Sequence, residues 1–237
     1  PSGLMDQVAC LCGQAGHALL FDAAAETVEA VRLPRALALL VLESGVPRRL
    51  AASEYGVRAT EAAEALRLAG ARLPRREPAA SERASSHHAS LAAILAGLSA
   101  ADLEKLALPP PLDRRLRHIA TEVARVGAAV EALVAGDLPR LGRLLLDSHA
   151  SLRDDHQVSL PELDALVDLA VASGCLGARL MGAGFGGSVL AVAEAERAEA
   201  ALVRIRAGHP GGRAWLLQAA GGARVLDLRD GAGPKRA

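Results

Sequence analysis

Four glycines in six positions, Gly182-Ala183-Gly184-Phe185-Gly186-Gly187, stand between two apolar runs, ARLM and SVLAVAE. Glycine takes φ > 0 without a Cβ penalty and lets backbone approach a ligand, and successive free amides can form an anion-holding concavity. A dinucleotide fingerprint must open a helix, and here a second strand follows; a Walker A loop needs Lys-Ser or Lys-Thr, which is missing. Two readings stay open: a loop packed against phosphate or substrate, and a tight structural hairpin anchored by Phe185.

Asp6 in GLMDQ is the second candidate. It reads either as a helix cap satisfying free amides or as a carboxylate that orients an attacking hydroxyl and takes its proton. Tyr55, the one tyrosine, could donate to a sugar hydroxyl or pack with its hydroxyl at the surface. SHASLRDDHQVS gathers His149, Arg153, Asp154, Asp155 and His156. A capped turn between helices, with Arg153 neutralising part of the charge, suits that cluster better than a metal site. His118 reads as a satisfied packing residue, and His87 and His88 as surface histidines.

These groups need elements to hold them. A short helix or turn is expected over residues 7–13, and GHALLFD, AETVEAVRLP and LALLVLES read as three strands of an antiparallel meander. Residues 53–68 read as a helix, and 76–90, rich in Pro, Ser and His, as a loop. Ile119, Val123, Val126, Val130 and Leu133 recur at helical spacing, which predicts one apolar face against the core. A second helix carrying Leu138, Leu141, Leu144 and Leu145 follows Gly136 as its antiparallel partner. Ser159 is expected to cap a helix with Pro161 in its first turn and Gly174 at its end. Strand, glycine loop, strand, helix and strand then complete an α+β layer of helices packed on an antiparallel sheet. The tail GAGPKRA is expected to fray.

The 237 residues are 51% hydrophobic, 23% charged and 2% aromatic, so a globular core must be built from Leu, Val and Ala. Lys plus Arg equals Asp plus Glu at 27 each, leaving no basic surplus for nucleic acid. No run of eighteen apolar residues or signal peptide is visible, so no membrane partner is expected and the cytoplasm is the expected setting. Cys10, Cys12 and Cys175 are too few for a disulfide scaffold; Cys10 and Cys12 read as reduced, buried thiols. The opening PSGLMDQVA reads as part of a longer protein. Residues 1–45 are therefore expected to be the residual edge of an incomplete amino-terminal domain, and 46–237 a carboxyl-terminal domain.

GLMDQ, GHALLFD, LAASEYGVR, LRHIATE, SHASLRDD with VSLPELDALV, and ARLMGAGFGG follow one another in an order that resembles the galactokinases, from Pro1 to about Leu228. That family belongs to the kinases of galactose, homoserine, mevalonate and phosphomevalonate, with a two-domain small-molecule kinase fold. The resemblance implies ATP and Mg2+ with α-D-galactose as substrates and galactose 1-phosphate and ADP as products, in galactose breakdown. It implies Asp6 as the catalytic carboxylate facing the C1 hydroxyl, Gly3 as backbone beside the sugar, and Tyr55 as a sugar contact. Gly182, Gly184, Gly186 and Gly187 would close on the substrates. A kinase for N-acetylgalactosamine or arabinose, or a non-catalytic galactose and ATP sensor, would share these motifs, although the presence of Asp6 weighs against a sensor.

Some positions depart from the family pattern: Ser2 and Leu4 flank Gly3, Ala59 follows Arg58, and Met181 and Ala183 stand where Thr and Gly are frequent. The family's Arg-Glu-His-Asp sugar signature and its glycine- and serine-containing phosphate loop are not found in these 237 residues. The expectation is that this chain by itself holds no metal and is inactive, and that its parent is active.

Overall fold

LALLVLE is apolar on both faces, which suits a strand flanked by neighbours rather than an exposed edge. In the computed structural model, which describes residues 4–23, 25–47, 51–73 and 98–224, this run lies inside a four-stranded sheet. Elements in chain order are α1 (Met5–Cys12), β1 (His17–Asp22), β2 (Thr27–Arg32), β3 (Leu37–Glu43), α2 (Ala51–Arg72) and α3 (Ala100–Lys105). They continue as α4 (Leu112–Ala135), α5 (Leu138–Asp154), α6 (Pro161–Ala172), β4 (Gly177–Leu180), β5 (Ser188–Glu194), α7 (Ala195–Gly208) and β6 (Ala214–Leu217). Loop 76–90, with His87 and His88, and the tail GAGPKRA lie outside the described residues.

The expected three-stranded meander does not form. β1 and β2 make a hairpin of their own, with Leu19 opposite Ala30, while β3 enters the second sheet in the order β4-β5-β3-β6. The physical reason is amphipathicity: TVEAVR offers little apolar surface to a third strand, whereas β3 has two faces to bury. Every pairing is antiparallel, with Val41 opposite both Leu190 and Trp215. β3 thus joins the layer of the carboxyl-terminal helices, although the sequence placed it before residue 45.

One sheet face carries Leu40, Leu42, Leu180, Val189, Ala191 and Ala193 into a core shared with α6 and α7. Leu163, Leu166 and Val167 come from α6, and Ala198, Ala201, Leu202 and Ile205 from α7. Complete burial of a leucine such as Leu40 or Leu42 is worth roughly 1.5–3 kcal/mol, and alanines elsewhere let helix backbones close on the sheet. On α5, a Cβ at Gly142 would lie 2.3 Å from the Leu176 carbonyl oxygen, so that helix meets β4 backbone to backbone.

α4 and α5 are antiparallel: Glu122 meets Ser148 at 2.7 Å, while Ala132 packs with Leu141. Gly136, at φ +69°, ends α4, and Asp137 Oδ1 accepts the Arg140 amide at 3.0 Å to begin α5. The apolar stripe predicted on α4 is only partly buried, because Val123 is 36% and Val126 49% exposed. The start of α4 packs against α2 through Leu116 and Ala120, and its end against α5 through Ala132. The turn between those two contacts is left outside both.

Two smaller readings are also corrected. Ser159 caps nothing; its hydroxyl donates to Asp164 Oδ1 at 2.6 Å, and Leu160 takes the capping position ahead of Pro161. Cys10 and Cys12 are exposed, since no residue of α1 is buried, whereas burial in the core pushes the Cys175 thiol up to about 11.

Candidate functional site

All four loop glycines have positive φ: Gly182 +72°, Gly184 +80°, Gly186 +119° and Gly187 +88°; Phe185 shares that region at +56°. Side chains rarely tolerate such angles, so the run is required by the backbone path. Two anchors fix that path. The Phe185 amide donates to the Val158 carbonyl at 2.8 Å and the Gly187 amide to the Val46 carbonyl at 3.3 Å, while Ser44 N–H donates back to the Gly187 carbonyl at 2.8 Å. A Cβ at Gly184 would stand 2.2 Å from the Val158 oxygen, and one at Gly186 2.7 Å from the Val46 oxygen. The loop is therefore seated between the end of β3 and the residue before Ser159, with Phe185 packed against the main core.

The same anchor reaches the helix of Tyr55. Arg58, three residues further along α2, donates from Nε to the Gln157 carbonyl at 3.4 Å, next to the Val158 carbonyl that holds the loop. Tyr55 is 36% exposed in the first turns of α2. Residues 157–158 thereby tie α2 and the glycine loop to one point.

Asp6 lies in the first turn of α1, one residue inside the helix. It is exposed, and Leu4 occupies the capping position without a side-chain bond, so Asp6 is no cap. Among the described residues, no hydrogen bond or ion pair engages its carboxylate. A groove of about 320 Å³ lies between α1 and the β1–β2 hairpin, lined by Met5, Val8, Ala9, Leu19 and Phe21 among others, and Asp6 is not among its lining residues. Gly3 lies outside the described residues.

The SHASLRDDHQVS cluster does not converge on one point. Arg153 and Asp154 pair with each other at 2.8 Å on the surface. Asp155 turns inward to Arg117 at 3.0 Å, and His156 stacks on His118 with centroids 4.5 Å apart and planes 10° from parallel. His149, on the opposite side, accepts the Leu180 amide at 3.4 Å on Nδ1 and places Nε2 3.1 Å from Asp164. Burial lowers the His149 pKa against the opposing pull of Asp164. Burial likewise depresses His118 and His156 to about 4 each; for His156 the neighbouring His118 adds to it. Among the described residues no three His, Cys, Asp or Glu side chains come together as a group that could hold a metal ion.

Arg115 is the feature that the sequence reading missed. It is 1% exposed, and its guanidinium joins Glu61 Oε2 at 2.7 Å, Gln157 Oε1 at 3.0 Å and the Asp155 carbonyl. One buried arginine of α4 thus locks α2 to residues 155–157, immediately before the Val158 carbonyl on which the glycine loop is seated. The available signal was RRLRH: Arg115 and His118, three residues apart, lie on the same helical face as Leu116 and Ala120 turn inward.

Comparisons with known proteins agree with this arrangement. The family described as GHMP kinases C terminal matches residues 129–210. A galactokinase of Chloroflexus aggregans is 39% identical over 210 residues, covering 87% of this chain and 50% of the relative. The galactokinase of Homo sapiens is 40% identical over 233 residues, covering 96% and 54%. The chain thus spans about half the length of the curated relatives it matches. Among solved structures, Lactococcus lactis galactokinase complexed with galactose superposes with a TM-score of 0.77 at 31% identity, covering 95% of this chain and 56% of that one. L. major mevalonate kinase, with a TM-score of 0.55 at 21% identity over 88% of this chain and 50% of that one, shares the fold. No helix among the described residues is long and apolar enough to cross a membrane. Sequence likeness along nearly the whole chain and a common α+β architecture lead to one conclusion: the chain carries the carboxyl-terminal domain of the GHMP kinases and is similar along nearly its whole length to the carboxyl-terminal portion of galactokinases.

Proposed function

We propose that the protein to which these residues belong transfers the γ-phosphoryl group of ATP, taken as its Mg2+ complex, to the C1 hydroxyl of α-D-galactose. The observation that carries this reading is the match to galactokinases over both sequence and fold, including the TM-score of 0.77 to a galactokinase that holds galactose. Asp6 would orient the attacking hydroxyl and take its proton as the new bond to phosphorus forms. Its carboxylate at the start of α1 is exposed and, among the described residues, unpaired, which leaves it open to a substrate. Gly3 would bring backbone to the sugar, and Tyr55 would donate to a sugar hydroxyl. The loop of Gly182, Gly184, Gly186 and Gly187, rigidly seated on Val46 and Val158, would present amides to the reacting groups. A cytoplasmic setting suits an enzyme that draws on ATP.

The test is galactose-dependent ADP release by the full-length protein, compared with Asp6→Asn and across galactose, N-acetylgalactosamine and arabinose. General-base loss is expected to lower kcat by roughly 10²–10⁴-fold, with galactose the preferred sugar. Turnover of Asp6→Asn at the unmodified rate, or preference for another sugar, would refute the reading. Residues 1–237 alone are expected to give no turnover, because the sugar signature and phosphate loop of the family are not among them; galactose phosphorylation by the isolated chain would contradict that.

A further inference from the structure

α1 carries the proposed carboxylate, yet none of its side chains is buried. The end of a helix leaves carbonyls without intrahelical donors, and whatever satisfies them fixes the helix in space. Here the donors come from more than two hundred residues away in sequence. Ala223 N–H donates to the Cys10 carbonyl at 2.6 Å, and Gly222 N–H to the Gly13 carbonyl at 2.7 Å. The Ala219 carbonyl accepts the Gly16 amide at 3.0 Å, while the Gly16 carbonyl accepts Leu33 N–H at 2.9 Å. The segment leaving β6 therefore bonds the end of α1 and the start of the β1–β2 hairpin together.

The approach is close enough to demand glycine. A Cβ at Gly222 would sit 2.9 Å from the Cys10 oxygen, the Gly13 nitrogen and the Leu11 oxygen, all backbone atoms that cannot swing aside. A Cβ at Gly13 would lie 2.7 Å from the Ala9 oxygen and 3.1 Å from the Gly222 nitrogen. The neighbouring Gly221 has open space around it.

We propose that residues 219–223 form a positioning strap that caps the carboxyl end of α1 and thereby sets where Asp6 stands relative to the glycine-loop domain. This rests on the catalytic reading of Asp6. The strap continues directly from β6, which pairs with β3, and β3 leads at Ser44 and Val46 into the seat of the glycine loop. A continuous backbone path thus runs from the loop's anchor to the helix of Asp6. Gly222 and Ala223 touch no reacting atom in this scheme; they act through α1.

Gly222→Ala tests it, with Gly221→Ala as the neighbouring substitution that meets no atoms. Hydrogen exchange of the full-length protein should show Gly222→Ala losing roughly 10-fold or more of the protection at the last turn of α1 and at Gly16, with the β3–β5 core unchanged. In the full-length protein, misplacement by about 1 Å can cost on the order of 10²-fold; kcat should fall by roughly 10- to 100-fold while KM for galactose stays within about 3-fold, and Gly221→Ala should match the unmodified enzyme. Unchanged protection of α1 overturns the strap, as does lost protection with an unchanged kcat. If Asp6→Asn were fully active, the catalytic reading would fail instead, and the exchange data would show whether the strap still holds the helix.

Discussion

Acidification should find its weak point at the stacked rings of His118 and His156. Ser151 donates its hydroxyl proton to Asp155 at 3.2 Å, so it accepts from His118 Nδ1–H at 3.0 Å. His156 Nδ1 is buried without a partner among the described residues. Glu122 favours a charged His118, but Arg125, Arg179 and Arg115 oppose it; Arg115 and Arg58 oppose a charged His156, with Glu61 favouring it. Both rings fall from 6.5 to about 4 in the folded chain, burial being the main cause. Between those values the unfolded chain binds more protons, so stability is complete above the unfolded pKa and is lost as pH falls toward the folded one. At about pH 4.5 the loss is on the order of 2–3 kcal/mol for one ring, taking 1.36 kcal/mol per unit of difference. A second charge beside the first costs at least as much.

The perturbation is His156→Phe, which keeps a ring in the stack and removes both the titration and an unpartnered nitrogen. Urea unfolding followed by circular dichroism, at steps between about pH 7.5 and pH 4.5, gives stability for each form by linear extrapolation. Carboxylates elsewhere titrate equally in both and cancel in the difference. The variant should equal or exceed the original at neutral pH and gain roughly 2–3 kcal/mol on it by about pH 4.5. Parallel pH profiles would refute the reasoning, and so would a variant more acid-labile than the original.

Two further outcomes follow from the geometry around the loop. Arg115→Ala leaves the half-buried Glu61 and Gln157 without their shared partner and should destabilise by about 1–3 kcal/mol, read by urea unfolding; a loss well under about 1 kcal/mol would show that the network carries little. Gly184→Ala forces a Cβ toward the Val158 oxygen at a φ of +80°. It should cost roughly 1–3 kcal/mol and release the Phe185 amide to exchange, and unchanged protection at Phe185 would show that Val158 is not the loop's seat.

The glycine loop, the Pro161 helix start and the helix pair joined at Gly136 were legible in the sequence, because each depends on contacts within a few residues. Positive φ, a missing amide and an αL stop are local requirements that only particular residue types meet. The family likeness was legible too, since its motifs are short and ordered. Partnership across the chain was not. Nothing in LALLVLE says that its neighbours are β5 and β6 rather than β2; both faces of the strand were apolar, and only the competing surfaces of the folded chain decided which would cover it.

The partners of charged residues were hidden for the same reason. SHASLRDDHQVS places five polar side chains together in sequence, and helical geometry sends them in three directions, to the surface, to α4 and to Asp164. The burial of Arg115 was not legible because burial of a guanidinium is set by the acceptors that meet it, and those lie 54 and 42 residues away at Glu61 and Gln157. The sequence by itself determined which residues could do chemistry and which turns could form. The tertiary structure alone decided where those residues stand, through backbone donors such as Gly222 and Ala223 whose identity records no preference for the helix that they cap. A main-chain hydrogen bond is available to every residue but proline, so its partner is chosen by proximity in the folded state.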